Sequence, residues 1–360
     1  MPITDSRLDQ LTDEAVNLLS ELIRIPALSK EEDKRATYFY QYLIQNGLAP
    51  VRLLNNIIVR NDFMADSSRP KLLLNSHIDT VRPSNTWTID PHDPINQHGR
   101  LHGIGSNDAG ASLVSLLMAY RYLVTTSQSY DLIYAATAEE EISGSHGIVH
   151  VIHELPEIQL AIVGEPTGMQ MAIAEKGLMV IDAVAYGISG HAARDEGKNA
   201  IYAALQDIEK IKNYSFERIS ELLGPTKATV TVIQAGNQHN VIPDQCKYVI
   251  DVRSNEMYSN EEIHQLLQKE IQSVLTPRSY RLKSSHISMV HPVVIRGIGQ
   301  GLTCYGSPTL SDQALMPYTS IKIGPGQSSR SHTADEYIEI EEIRHGIKTY
   351  IELLDGLNIK

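Results

Sequence analysis

The chain has 360 residues, of which 42% are hydrophobic and 21% are charged. This composition is typical of a globular protein and excludes a fibrous or low-complexity chain. The 43 acidic residues outnumber the 31 basic residues and give a formal net charge of −12, which opposes binding to nucleic acid or acidic lipid. We therefore expect small molecules as partners, with no nucleic acid and no membrane.

The N-terminal sequence MPITDSRLDQLTDEAVNLL lacks a basic leader and an apolar signal core. No segment of the sequence approaches the ~20 apolar residues that a membrane-spanning helix needs. Two cysteines, Cys246 and Cys304, are too few for a disulfide framework in a chain of this length. These features predict a cytoplasmic protein in which both thiols are reduced.

The first predicted elements are two helices. Apolar residues recur at helical spacing from Thr12 to about Arg24, and Thr12 is the candidate N-cap. A second helix is predicted from about Glu31 to Asn46. It meets Gly47, a residue type that easily takes the left-handed conformation ending a helix.

Short apolar runs then alternate with helices, which is typical of a parallel sheet covered on both faces. The predicted strands are KLLLNSHID, DLIYAATA and QLAIVGEP, and the predicted helices are ASLVSLLMAYRYLV and GSHGIVHVIHEL. After about Lys176 the pattern changes to the strand-like segments MVIDAVAYGISG, KATVTVIQAG and QCKYVIDVRS, with helices predicted at 199–212 and 261–275.

The buried-strand pattern returns at TSIKIGPG, and a final helix is predicted at 341–357. The middle segment is therefore an insertion. We predict an α/β fold in which a mostly parallel-sheet domain, residues 1–176 with 292–360, is interrupted by an α+β domain at 177–291.

Polar groups follow the predicted strands, where open α/β sheets bind their ligands. They are His77 and Asp79, the glutamates 139–141, Glu165 and His332, and Asp108 lies in the glycine-rich turn HGIGSNDAGAS. Taken singly, these groups also fit a hydrogen-bonded pair, a solvated helix start, a tight turn and an exposed histidine. Their order along successive strand ends, with no cysteine nearby, indicates a zinc site.

Zinc-dependent amide hydrolysis needs imidazole and carboxylate ligands and a further carboxylate that accepts a proton from water. In a His-x-Asp pair one residue binds metal while the other fixes its tautomer. The sequence contains no Gly-x-Ser-x-Gly motif, which argues against a serine hydrolase.

The segments SHIDTV, GSNDAG, TAEEE, VGEPT and GPGQSSRSHTADEY resemble, in order, the motifs of the M20 metallopeptidase family. That family includes acetylornithine deacetylases, succinyl-diaminopimelate desuccinylases, aminoacylases and carboxypeptidases of the G2 type. The resemblance implies two Zn²⁺ ions, with Co²⁺ able to substitute, and a bridging aspartate. The implied ligands are His77, Asp108, Glu141, Glu165 and His332, with Asp108 as the bridge.

The resemblance also implies that Asp79 orients His77 and that Glu140 is the general base. In the middle domain, GISGHAARDEGKNAI and HNVIPDQCKYVIDVR are similar to family signatures. They imply that His191 stabilises the oxyanion across a homodimer interface formed by this domain, which also acts as a lid. Asn240 and Arg253 would bind substrate, although a structural ion pair within its strand is an equal alternative for Arg253.

One departure concerns residue 109, which is alanine where relatives usually have lysine after the bridging aspartate. Substrate specificity therefore does not transfer directly from the family. We expect deacylation of an N-acyl amino acid, of the acetyl- or succinyl-ornithine or citrulline type in arginine biosynthesis. The alternatives are a metallo-dipeptidase or aminopeptidase of the same fold, and a non-catalytic binding protein.

Overall fold

The computed structural model describes residues 3–61, 69–194 and 196–359. Two compact units are present: Met1–Ile173 with Ile287–Tyr305 and Ser311–Lys360, and Ala174–His286 with Gly306–Leu310. The sequence-based boundaries place 306–310 in the first domain, whereas here the Cα of Gly306 lies against the backbone of Leu222 in the second unit. Within the described ranges, no helix is both long and apolar enough to cross a membrane.

The helices are α1 (Asp5–Ile23), α2 (Asp33–Gln45), α3 (Ala111–Leu123), α4 (Ile148–Ile152), α5 (Ala200–Asn213), α6 (Asn260–Glu270), α7 (Pro292–Gly299) and α8 (Ile340–Leu354). The strands are β1 (Val51–Leu53), β2 (Asn56–Arg60), β3 (Lys71–His77), β4 (Ile95–Gln97), β5 (Arg100–His102), β6 (Asp131–Thr137), β7 (Leu160–Val163), β8 (Met171–Glu175), β9 (Gly177–Tyr186), β10 (Gly190–His191), β11 (Lys227–Ala235), β12 (Val241–Ile242), β13 (Gln245–Ser254), β14 (Val274–Pro277), β15 (Ser285–His286), β16 (Cys304–Ser307), β17 (Ser320–Lys322) and β18 (Tyr337–Glu339).

The first unit is built on a sheet with the strand order β1-β2-β6-β3-β7-β17-β8. Its centre, from β6 to β17, is parallel, whereas β1, β2 and β8 pair antiparallel with their neighbours. Every residue of the four parallel strands is buried, as expected for strands covered on both faces. The predicted α/β class is confirmed, with its parallel character confined to the centre.

Helices cover both faces of this sheet. On one face α1, α3 and α8 pack against each other, and α3 also contacts β3 and β6. On the other face, Leu73 and Ile133 from the sheet pack with Ile148 and Val151 of α4. These two helix layers cover the faces of the sheet, whereas the carboxyl ends of the parallel strands lie along one end of it.

The register aligns those carboxyl ends. His77 of β3 pairs with Thr137 of β6, and Asn75 of β3 pairs with Val163 of β7. The three strands therefore end side by side, and the residues that follow them emerge at one edge.

The second unit has an antiparallel sheet with the strand order β11-β13-β9-β14. Buried and partly exposed residues alternate along β9 and β13, and α5 and α6 both pack on the sheet. The chain order β9, α5, β11, β13, α6, β14 with this strand order is the ferredoxin-like arrangement. The inserted α+β domain of the prediction is thus present.

Several helix boundaries differ from the predictions, and two of the differences have a clear physical reason. Helix α1 begins at Asp5 with Thr4 as its N-cap, and Thr12 lies inside it, where its hydroxyl donates to the carbonyl of Leu8 at 2.9 Å. The predicted start was wrong because buried Leu8 extends the apolar stripe by one more turn.

Helix α6 ends at Glu270, and the predicted continuation to 275 was wrong because Val274 and Leu275 belong to β14. Asp207 accepts hydrogen bonds from the backbone N–H groups of Gln272 and Ser273, which holds this segment outside the helix. Helix α2 ends as predicted, with Gly47 at φ +77°.

Candidate metal centre

His77 stands at the end of β3 with its ring almost fully buried. Its Nδ1 lies 2.9 Å from the backbone carbonyl oxygen of Asp79 and 3.4 Å from Oδ1 of the same residue. With Nδ1–H donating to these acceptors, the lone pair resides on Nε2. Nε2 is buried and has no hydrogen-bond partner among the described residues, which fits a metal ligand.

Three carboxylates surround this nitrogen. Nε2 of His77 lies 3.5 Å from Oδ1 of Asp108 and 3.8 Å from the nearest oxygens of Glu140 and Glu165. The ligand atoms form two groups, each within 4.8 Å: His77 with Glu140 and Glu165, and His77 with Asp108 and Glu141. One nitrogen among carboxylate oxygens is a donor set suited to a divalent cation such as zinc.

Asp108 lies between two imidazoles. It belongs to a tight turn, Ser106–Gly110, directly before α3, and its own backbone is not helical. Its Oδ1 faces His77, and its Oδ2 lies 3.5 Å from Nε2 of His332. The same Nε2 is 3.0 Å from Oε2 of Glu141. A carboxylate whose two oxygens face different imidazoles has the geometry of a ligand that bridges two cations.

The side chains of the three consecutive glutamates point in two directions. Glu139 accepts a hydrogen bond from the backbone N–H of His146 at 3.3 Å, and its carboxylate contacts the imidazole of that residue. Glu140 and Glu141 follow in a tight turn, and their N–H groups donate to the two oxygens of Asp79 at 3.1 and 3.2 Å. Glu140 and Glu141 therefore join the cluster around His77, while Glu139 faces away from it.

Burial raises the pKa of Glu140 well above the usual value for a glutamate, although His77 opposes the shift. Burial also raises the pKa of Glu165, and the nearby Asp108 adds to the effect. Burial acts to lower the pKa of His77, but Glu140, Asp108 and Asp79 outweigh it and raise that pKa well above 6.5. The cluster thus holds more negative charge than burial tolerates, and it takes up protons or cations in compensation.

Residue 109 contributes no cation to this cluster, because it is an alanine. Its side chain is buried. A buried lysine on the neighbouring strand β17, Lys322, acts electrostatically to lower the pKa of Glu165. The lysine that the motif resemblance leads one to expect directly after Asp108 is therefore absent from that position.

The glycines of GPG close a turn. The N–H of Gly324 donates to Oγ1 of Thr167 at 3.0 Å, and its carbonyl accepts from the N–H of Thr167 and of Met169. The carbonyl of Gly326 accepts from the N–H of Gly168. These bonds hold the loop that carries Glu165.

The three predicted substrate residues of the middle domain lie in the second unit. His191 is exposed, and its Nδ1 accepts from the N–H of Ala193 at 3.1 Å. The backbone carbonyl of Asn240 accepts from the N–H of Ala192. Arg253 forms a two-point ion pair with Asp251, at 2.8 and 3.2 Å, in the same strand. This ion pair is the structural alternative considered for Arg253, and the substrate roles of all three stay predictions.

Sequence reasoning missed three side chains that support the cluster. Ser29 donates to Oδ2 of Asp79 at 2.7 Å. Buried Asp312 accepts from Oγ1 of Thr137 at 2.7 Å at the end of β6. Glu336 accepts hydrogen bonds from the backbone N–H groups of the turn that carries Asp108. Glu336 lies in the motif around His332, which was a usable signal, whereas nothing in the sequence near Ser29 or Asp312 points to the site.

A cluster of imidazole and carboxylate groups at the carboxyl edge of a parallel sheet, in a chain that also folds a ferredoxin-like insertion, defines a two-domain metallohydrolase. Residues 73–356 match the sequence model of the family described as Peptidase family M20/M25/M40. The chain belongs to this family and is a hydrolase, and the family resemblance of its motifs is confirmed.

Relatives support this assignment, one of them over nearly the whole chain. A peptidase M20 domain-containing protein of Schizosaccharomyces pombe is 26% identical over 355 residues, covering 94% of this chain and 83% of the relative. A succinyl-diaminopimelate desuccinylase of Paracoccus denitrificans is 28% identical over 208 residues, covering 54% of each chain.

Solved structures share the fold. The aminopeptidase PepT of Bacillus cereus superposes with a TM-score of 0.75 at 17% identity, covering 96% of this chain and 98% of PepT. The YXEP protein of Bacillus subtilis, described as a dinuclear metal binding peptidase of the M20 family, gives a TM-score of 0.74 at 16% identity, covering 96% of this chain and 98% of YXEP.

Proposed function

We propose that the protein is a zinc-dependent amidohydrolase that removes the acyl group from an N-acyl amino acid. The observation that carries this proposal is the position of Glu140. Its carboxylate lies 3.8 Å from the unpartnered Nε2 of His77, and burial raises its pKa toward the range useful for a general base near neutral pH.

The residues of the cluster fit two divalent cations that share Asp108. His77 and Glu165 would complete one position, and Glu141 and His332 the other. Such cations, when bound, polarise an amide carbonyl and make water a stronger acid.

The protein's own residues then handle the proton. The carboxylate of Glu140 accepts a proton from the attacking water and then donates it to the nitrogen of the leaving amine. Asp79 holds Nδ1–H of His77, which keeps Nε2 directed into the cluster. His191 of the second unit is the proposed donor to the oxyanion, supplied across a homodimer interface, and Asn240 and Arg253 are proposed to bind the substrate.

Relatives named succinyl-diaminopimelate desuccinylase support an acyl substrate. Among such substrates we propose first an N-acyl compound of the ornithine or citrulline type from arginine biosynthesis. We also propose that the protein is located in the cytoplasm. The free thiols of Cys246 and Cys304 accord with that location. A dipeptidase or aminopeptidase activity is the second candidate, since the Schizosaccharomyces pombe relative is named for a peptidase M20 domain.

A substrate panel on zinc-loaded protein tests the proposal. The panel contains N-acetyl and N-succinyl derivatives of ornithine, citrulline and diaminopimelate beside dipeptides and tripeptides. We expect kcat/KM to be highest for one acyl amino acid. A higher kcat/KM for peptides would establish the second candidate, and turnover that persists after zinc is removed would contradict both.

A further inference from the structure

The turn that carries Asp108 presents its backbone N–H groups to a single buried carboxylate. Gly105 donates to Oε2 of Glu336 at 2.9 Å, and Asn107 and Asp108 donate to Oε1 at 2.8 and 2.9 Å. Glu336 is 3% exposed. Both of its oxygens thus accept hydrogen bonds from the turn, so this carboxylate acts as an anchor of the turn.

A second anchor runs in the opposite direction. Oδ1 of Asn107 accepts from the N–H of Gln327 at 2.9 Å, and its Nδ2 donates to the carbonyl of Gln327 at 3.1 Å and to Oγ of Ser331 at 3.4 Å. Asn107 is fully buried. Each anchor is close in sequence to a proposed ligand: Asn107 precedes Asp108, and Glu336 follows His332 by four residues.

These bonds join the loop of Asp108 to the loop of His332. The side chain of His332 is 54% exposed, and its residue adopts φ +58°. Its ring contacts only Glu141 and Asp108 among the cluster ligands. Ligand groups must be held to within about 0.5 Å for tight and specific binding, so a half-exposed histidine on a loop needs support from outside the ligand set.

We infer that Glu336 and Asn107 are positioning residues that clamp the loop of Asp108 to the loop of His332 and so build the second cation position. This inference rests on the proposed function, because it concerns the same centre. It assigns the two residues no contact with substrate. It predicts that the clamp serves the position of Glu141 and His332, while the position of His77 and Glu165 depends on it less.

The first test is Glu336→Gln, with Glu341→Gln as the matched control. The control makes the same charge change on an exposed side chain of α8. We expect calorimetric zinc titration of the metal-free protein to show two sites in the wild type and the control. In Glu336→Gln we expect one site to weaken by about 10–100-fold, the usual effect of removing a group that orients a ligand.

Amide hydrogen exchange of the metal-free protein gives a readout independent of zinc. Glutamine keeps only one acceptor oxygen, so at least one of the N–H groups of Gly105, Asn107 and Asp108 is expected to exchange faster in Glu336→Gln than in the wild type and in Glu341→Gln. If Glu336→Gln does not fold, Asn107→Ala breaks the other half of the clamp. It is expected to weaken the same zinc site.

The outcomes separate the two proposals. A folded wild type that binds fewer than two zinc ions contradicts the proposed dinuclear centre. A wild type that binds two ions, together with clamp variants that bind both with unchanged affinity, overturns the clamp. Equal weakening of both sites, with a lower unfolding temperature of the metal-free protein, also overturns it by showing a general structural role.

Discussion

Asp79 meets one nitrogen of His77 with both its carbonyl and its carboxylate, at 2.9 and 3.4 Å from Nδ1. The same carboxylate accepts the backbone N–H groups of Glu140 and Glu141. One side chain therefore fixes the ring orientation of a proposed ligand and the turn that carries the proposed base.

Replacing Asp79 with asparagine is expected to weaken zinc binding by about 10–100-fold. The asparagine amide offers a donor where the carboxylate offers an acceptor, so at least one of the N–H groups of residues 140 and 141 loses its partner. Competition with a chromogenic chelator measures the affinity. Asp90→Asn, a change at an exposed residue whose carboxylate accepts the local N–H of His92, is the control. Equal zinc affinity in both variants would show that Asp79 does not orient the site.

Glu140→Gln is expected to lower kcat by about 10²–10⁴-fold while KM stays close to that of the wild type. Glutamine keeps the size of the side chain but cannot accept the proton. The adjacent Glu139→Gln is the matched control, because its carboxylate faces His146. Steady-state kinetics on the preferred acyl substrate provide the measurement. A Glu140→Gln enzyme with wild-type kcat would refute its role as base.

The sheet and the ligand-bearing strand ends were predictable because their signals are local. The apolar runs at 72–74 and 132–136 lie in segments too short for helices, and polar residues follow them directly. Parallel register then brings those polar residues to one edge without further information.

The hydrogen-bond partners of the supporting residues were not predictable, even for Glu336 within a recognised motif, because those partners lie in distant segments. Glu336 acts on residues more than two hundred positions earlier, and Asp312 meets Thr137 across a separation of 175 residues. Arg253 shows that residue type alone leaves two roles open: its guanidinium suits a substrate carboxylate, and it also forms an ion pair with Asp251 two residues away.

Zinc binding to the metal-free protein is expected to release protons. A hydrogen bond with Glu141 raises the pKa of His332 from 6.5 to about 9, so the ring is charged at pH 7 and must lose its proton to bind zinc. Zinc affinity at this position is therefore expected to rise by up to about tenfold per pH unit from pH 7 to 9 and to level off above pH 9. Calorimetry in buffers of different ionisation enthalpy counts the protons. Zinc binding at pH 7 with no proton release would contradict the raised pKa.

The clamp also explains why residue 326 is glycine. Gly326 adopts φ +88°, and a Cβ there would overlap Oδ1 of Asn107, the atom that accepts the N–H of Gln327. Gly47 has a similar φ of +77°, but a Cβ added there would have no neighbouring atom within 4 Å.

Gly326→Ala and Gly47→Ala thus share the cost of a left-handed alanine, about 1–2 kcal/mol, and differ in the overlap. We expect urea unfolding of the metal-free protein to show an additional loss of about 1–3 kcal/mol in Gly326→Ala, together with weaker zinc binding that Gly47→Ala does not show. Equal losses of stability in the two variants would mean that Asn107 moves aside freely, and a side chain so mobile could not hold the loop of His332.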